Sequence, residues 1–133
     1  MDTINSLLTR LLPVKNPSEV DPADVDIDKE LHRLAHNLTI FTTLKMISAG
    51  YFVNAEYTYR TARFKLEKFY TDERLAELSC VKSNKPSLIK SELAELDKDR
   101  NIALAYKNRF QDEWDTTKEI IHIYKKTRKY DTG

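Results

Sequence analysis

Apolar side chains recur every three or four residues over a long stretch of this chain. The series is Ile27, Leu31, Leu34, Leu38, Phe41, Lys45, Ser48, Phe52, Ala55, Tyr59, Ala62, Leu66 and Phe69. Eleven of its thirteen positions are apolar or aromatic, and no proline interrupts it. Steps of three and four keep side chains on one stripe of a helix. The pattern predicts a helix from about residue 27 to at least Tyr70, roughly 65 Å long at about 1.5 Å per residue. A second series runs Ile89, Leu93, Leu96, Arg100, Ala103, Lys107, Phe110, Trp114, Thr117, Ile121, Tyr124. It predicts one return helix from near Pro86–Leu88, proline being tolerated in a first turn, to near Tyr130.

Between the two series, residues 79–86 are polar and break the period, so the turn of a hairpin falls there. Thr71-Asp72-Glu73 can cap a short helix from Glu73 to Leu78, with the whole tip spanning about 72–87. The expected fold class is all-α: a long antiparallel, coiled-coil-like helical hairpin with a short N-terminal helix. A hairpin turning near residue 79 pairs positions whose numbers add up to about 158. That register sets Phe110 opposite Ser48 and Trp114 opposite Leu44. The small residues Ser48, Ala49 and Gly50 then face the largest side chains of the return helix, which accounts for a glycine inside a helix.

Ahead of the first long helix, Ile4, Leu7, Leu8, Leu11 and Leu12 form a short apolar stripe stopped by Pro13. With Arg10 as its one cation, docking on the body of the protein is the expected use of this stripe rather than a membrane surface. Residues 13–26 carry three prolines and four acids and are expected to form a linker without regular structure. Asp24, Asp26 and Asp28 lie where carboxylates complement the start of a helix. The expected organisation is a helix and linker over 1–26 and a hairpin domain over 27–133.

At 133 residues the chain has the length of a single domain. Charged residues make up 32% and there are only two glycines, which suits long solvated helices. A net charge of +1 gives no global basic footprint. The lone Cys80 rules out an intramolecular disulfide, and no stretch reaches the roughly 20 apolar residues of a membrane span. A cytoplasmic location is expected, with no membrane partner.

No catalytic pattern is visible. His32 and His36 share a helix face, with Glu30 and His122 as neighbours, but the HExxH arrangement of a zinc helix is absent. No glycine-rich phosphate loop and no Gly-x-Ser-x-Gly elbow occurs. A protein that is not an enzyme, without metal or cofactor, is expected. What remains is basic residues mixed with aromatics. Arg60, Arg63, Lys65 and Lys68 lie among Tyr57, Tyr59, Phe64, Phe69 and Tyr70. Lys125, Lys126, Arg128 and Lys129 lie between Tyr124 and Tyr130. Cations can track a phosphate backbone while aromatic faces stack on unpaired bases. Two uses stay open. These eight cations are candidate contacts to single-stranded DNA, or they are neutralised within the hairpin by Glu92, Glu95, Asp97 and Asp99 and by Asp28 and Glu30. The apolar face around residues 40–53 is too wide for one seam, and Ile40, Leu44, Ile47 and Tyr51 are the expected interface of a homo-oligomer.

Four segments carry a family likeness: Ile27-Asp-Lys-Glu-Leu-His-Arg-Leu-Ala-His-Asn-Leu-Thr-Ile-Phe after an acidic lead-in, Ala62-Arg-Phe-Lys-Leu-Glu-Lys-Phe-Tyr70 before the tip, Leu88-Ile-Lys-Ser-Glu-Leu-Ala-Glu-Leu-Asp-Lys-Asp99 opening the return helix, and Ile120-Ile-His-Ile-Tyr-Lys-Lys-Thr-Arg-Lys-Tyr130 closing it. In this layout, over about 27–130, the chain resembles the small phage recombination-mediator proteins, the UvsY-like family. The resemblance implies a helical protein that assembles into a ring, binds single-stranded DNA and helps load a recombinase. It implies a DNA-contact role for Arg63 and Lys65. The competing expectation is a helical protein–protein interaction module, a scaffold or a phage-encoded inhibitor of a host complex, that does not bind DNA.

Overall fold

The computed structural model describes residues 2–131, with the side chains of Asp2, Pro22, Lys129, Tyr130 and Asp131 outside the described set. Every regular element among the described residues is helical. Helix α1 spans Asp2–Leu8, α2 Ile27–Phe69, α3 Asp72–Glu77, α4 Lys85–Glu92 and α5 Ala94–Asp131, with single 3-10 turns at Pro22–Asp24 and Lys82–Asn84. The fold is the expected all-α helical hairpin. No described helix is long and apolar enough to cross a membrane.

The chain divides into two compact units. One comprises Met1–Ser48 with Lys107–Gly133, the other Ala49–Tyr106. Residues 1–26 are therefore not set apart; they belong to the first unit with the opening of α2 and the close of α5.

In the first unit, the N-terminal half of α2 runs antiparallel to the C-terminal half of α5. Trp114 Nε1 donates to Thr42 Oγ1 at 3.0 Å, and Arg128 pairs with Asp28 at 2.8 Å. Both pairs add up to 156, two below the register expected from a turn at residue 79. Trp114 is therefore set against Thr42 and Lys45 rather than Leu44, with Lys45 Nζ 3.9 Å and Lys118 Nζ 4.3 Å from its ring centre. It is half-buried. The apolar core here is Ile4, Leu34, Ile40, Phe41, Leu44, Phe110 and Tyr124. Burial of Ile4 docks α1 on the body of this unit. On α5 the buried positions Phe110, Thr117 and Tyr124 fall on the expected stripe.

On α2 the buried seam is 30, 34, 37, 41, 44 and 48, with Ile40 beside it. It is rotated from the expected series, so Glu30 and Asn37 are buried where Ile27 and Leu38 are half-buried. The reason lies in the linker. Residues 10–15 bring backbone groups against this face of α2, and polar side chains satisfy them. Asn37 Nδ2 donates to Leu12 O and its Oδ1 accepts from Leu12 N, both at 2.8 Å. Glu30 Oε2 accepts from Lys15 N at 3.1 Å, and Tyr124 Oη donates to Lys15 O at 2.6 Å. Asp26 caps α2 by accepting from Lys29 N at 3.2 Å.

In the second unit, the C-terminal half of α2 packs with α3, α4 and the start of α5. Its core is Tyr70, Leu75, Ile89 and Leu93, against which Tyr59, Ala62, Leu66, Cys80, Leu88 and Leu96 pack. Tyr70 takes the core position at the end of α2, and Phe69 is exposed with its ring edge-on to Tyr70. Tyr70 Oη donates to Glu92 Oε1 at 2.8 Å. Thr71 caps α3 as expected, accepting from Arg74 N at 3.3 Å. At the end of α3, Cys80 N donates to Leu75 O (2.8 Å) and Ser79 N to Ala76 O (3.0 Å), a Schellman closure that forces Ser79 to φ 58°. The return helix is not the single piece expected. It loosens at Leu93, where ψ is 0°, although Leu93 N still reaches Ile89 O (3.0 Å) and Asp97 N reaches Leu93 O (2.8 Å). The turn keeps Leu93 in the core of the unit.

Candidate functional site

The second unit carries a cleft of about 480 Å³ walled by α2, the 3-10 turn, α4 and α5. Its lining contains five cations, Arg63, Lys82, Lys85, Lys90 and Arg100, against two acids, Glu67 and Asp97. Tyr59, Pro86, Ile89 and Leu93 supply an apolar floor. The helical period explains the placement. Tyr59, Arg63 and Glu67 stand one turn apart on α2, beside the stripe that meets the core.

Ion pairs order part of this wall. Arg100 lies between acids on two helices, 2.7 Å from Asp97 and 3.6 Å from Glu56, with its guanidinium 3.9 Å from the Tyr59 ring centre. Lys85 Nζ donates to Glu67 O at 2.9 Å and stands 3.6 Å from its carboxylate. Lys82 reaches the exposed Asp72 at 3.2 Å. Arg63 and Lys90 make no ion pair among the described residues. The cleft therefore has three ion-paired cations, Lys82, Lys85 and Arg100, and two uncommitted ones, Arg63 and Lys90, an arrangement that accepts anionic oxygens.

The eight expected DNA contacts do not form one surface. Arg63 lines the cleft. Arg60 is tied to Glu56 on its own helix at 2.8 Å. Lys65 is exposed, and Lys68 is exposed with its Nζ 4.4 Å from the Phe64 ring centre. In the first unit, Lys125 and Lys126 are exposed and Arg128 pairs with Asp28. Lys129 lies outside the described side chains. Internal neutralisation holds for Arg128, yet no residue of 60–68 pairs with Glu92, Glu95, Asp97 or Asp99. Glu92 accepts from Tyr70, and Asp97 holds Arg100.

Lys82, Lys85, Lys90 and Arg100 were not singled out by sequence. The signal was present in the lysines spaced through residues 82–90, which folding at the tip turns toward Arg63.

Of the expected oligomer interface, Ile40 and Leu44 are core residues of the single chain, Ile47 is half-buried and Tyr51 is exposed. The surplus apolar surface at Ile40 and Leu44 is covered within the first unit. Gly50 has no large side chain against it either: a Cβ built there meets nothing within 4 Å. His36 Nε2 lies 2.9 Å from Arg10 O, and His32 is exposed. Among the described residues no group of His, Cys, Asp and Glu is arranged to hold a metal ion. Comparison with family models, curated proteins and solved structures gives no match.

Proposed function

We propose that this is a non-enzymatic recombination or replication accessory protein that binds single-stranded DNA through the basic cleft of its second unit. The observation that carries the reading is the charge of that cleft, five cations to two acids. A surplus of cations in a concave site attracts phosphates, and displacement of their counterions supplies affinity without sequence preference. The Arg100 guanidinium lies over the Tyr59 ring, 3.9 Å from its centre, so a cation and an aromatic stand together at the cleft. Arg63 belongs to both lines of argument, because it carries the family resemblance and lines the cleft. A self-associating protein that engages a recombinase is part of the same reading.

A labelled oligothymidylate provides the test by fluorescence anisotropy. Arg63→Ala combined with Lys90→Ala is expected to weaken binding while leaving helix content intact, since alanine favours helix. The two lost contacts should reduce the log–log salt slope by roughly 0.7 each. A double variant that binds as the parent does removes the cleft from the DNA site.

A second reading has its own support. Met46, Val53, Tyr57 and Phe64 are exposed on α2. Under that reading the protein is an interaction module, and its cleft takes acidic side chains of a partner rather than phosphates.

A further inference from the structure

The cleft of the second unit is small for a site that follows a strand. Its volume of about 480 Å³ falls among pockets that enclose one small ligand, about 300–1,000 Å³. A groove that tracks single-stranded DNA through its middle covers about 4–16 nucleotides. The neighbouring cations of α2 do not lengthen the cleft. Arg60 is bound to Glu56 at 2.8 Å, and Lys68 has its Nζ 4.4 Å from the Phe64 ring centre. Neither they nor Lys65 belong to the lining. The cationic lining is confined to one pocket.

The charges inside that pocket are unequal in kind. Lys82 faces Asp72 at 3.2 Å, Lys85 faces Glu67 at 3.6 Å and Arg100 faces Asp97 at 2.7 Å. Both acids of the lining are thus held by cations. Arg63 and Lys90 make no ion pair among the described residues, are exposed, and reach the cleft from different helices, α2 and α4. An internal phosphodiester carries one negative charge and leaves one of the two unmatched. A phosphomonoester carries about −1.5 to −2 at pH 7 and three acceptor oxygens, which matches both. The planar arginine fork takes two of those oxygens, and lysine adds a point charge. Beside these cations the lining offers Pro86, which is exposed, and Tyr59, half-buried under the Arg100 guanidinium. These are flat surfaces for the nucleoside that bears the phosphate.

We infer that the cleft is an end site, holding the terminal phosphomonoester of a single strand between Arg63 and Lys90 with the first nucleoside against Pro86 and Tyr59. The inference deepens the proposed single-strand binding and rests on it. It names the end of the strand, rather than its middle, as the ligand of the cleft.

Internally labelled oligothymidylates of one length provide the test. They carry a 5′-phosphate, a 3′-phosphate or hydroxyls at both ends, and are titrated with the full chain at low salt. One phosphorylated form should bind about tenfold tighter than the hydroxyl form, the scale of one added charge-assisted contact, and its identity tells which end is held. Arg63→Ala combined with Lys90→Ala should bring that ratio close to one with helix content unchanged, since both positions are exposed and alanine favours helix. Free thymidine monophosphate should displace the phosphorylated strand at concentrations where thymidine and O-phosphoserine do not. Equal binding of phosphorylated and hydroxyl strands overturns the end site and leaves single-strand binding standing. A preference that survives in the double variant overturns the assignment to Arg63 and Lys90. Displacement by O-phosphoserine as strong as by the nucleotide overturns the nucleoside contact. Absence of binding to every strand overturns the end site and the proposed function together.

Discussion

Asn37 holds Leu12 by both ends of its amide, donating from Nδ2 to Leu12 O and accepting at Oδ1 from Leu12 N, each at 2.8 Å. The side chain thereby acts as a short strand neighbour for one residue of the linker. His36 to Arg10 O and Glu30 to Lys15 N extend the same attachment along α2. Asn37→Ala should cost about 1–3 kcal/mol, because two backbone groups lose their partners near a buried face. Urea unfolding measures the loss, and hydrogen exchange should show the Leu12 amide opening well before global unfolding.

Phe110 and Trp114 should differ in the opposite order to their size. Phe110 is fully buried, whereas Trp114 keeps its ring between Lys45 and Lys118 at the half-exposed edge of the first unit. Phe110→Ala should cost about 3–5 kcal/mol. Trp114→Phe should cost only about 1 kcal/mol, the worth of its hydrogen bond to Thr42 and part of its lysine contacts. Equal losses in denaturant melts would contradict this placement.

Ser79→Gly should stabilise the chain by about 0.5–1 kcal/mol. Ser79 closes α3 at φ 58°, a conformation that glycine adopts without the steric cost of a Cβ. The gain is read as a raised midpoint in thermal unfolding with unchanged helix content.

Two tyrosines make the fold sensitive to alkali. Tyr70 has its phenol pushed above its ordinary 10.0, first by the hydrogen bond it donates to Glu92, then by burial and the Glu92 charge. Tyr124 is raised by burial and by the Glu30 carboxylate. Because both folded values lie above the unfolded one, their contribution is intact below pH ~10 and is lost as pH climbs through the folded values. Stability should therefore fall above pH ~10. In the Tyr70→Phe, Tyr124→Phe double variant that fall should be shallower, which chemical denaturation at successive pH values can follow.

The return-helix stripe was legible because every position from Ile89 to Tyr124 in the expected series is buried or half-buried. The first helix was legible in extent, from Ile27 to Phe69, but not in facing. Its seam turned on Glu30 and Asn37, whose burial depends on where residues 10–15 lie, and no helical period encodes that. The turn at Leu93 was hidden for a related reason, since neither proline nor glycine marks it. At the site, Arg63 was found from local composition. The four cations that complete the cleft come from α4, the 3-10 turn before it and α5, and only the folding of the tip brings them beside Arg63. Ile40 and Leu44 of the expected interface are buried within the single chain, and counting apolar residues does not reveal which of them the chain itself covers.

The salt dependence of binding to a single-stranded oligonucleotide tests the central claim most directly. Anisotropy titrations of the parent protein at several salt concentrations should give binding at low salt for unrelated sequences, with log affinity falling linearly against log salt. The slope should correspond to two or more phosphates, each contributing about 0.7. Absence of binding at the lowest salt, or an affinity indifferent to salt, would contradict a nucleic-acid role for the cleft and leave the protein-interaction reading in its place.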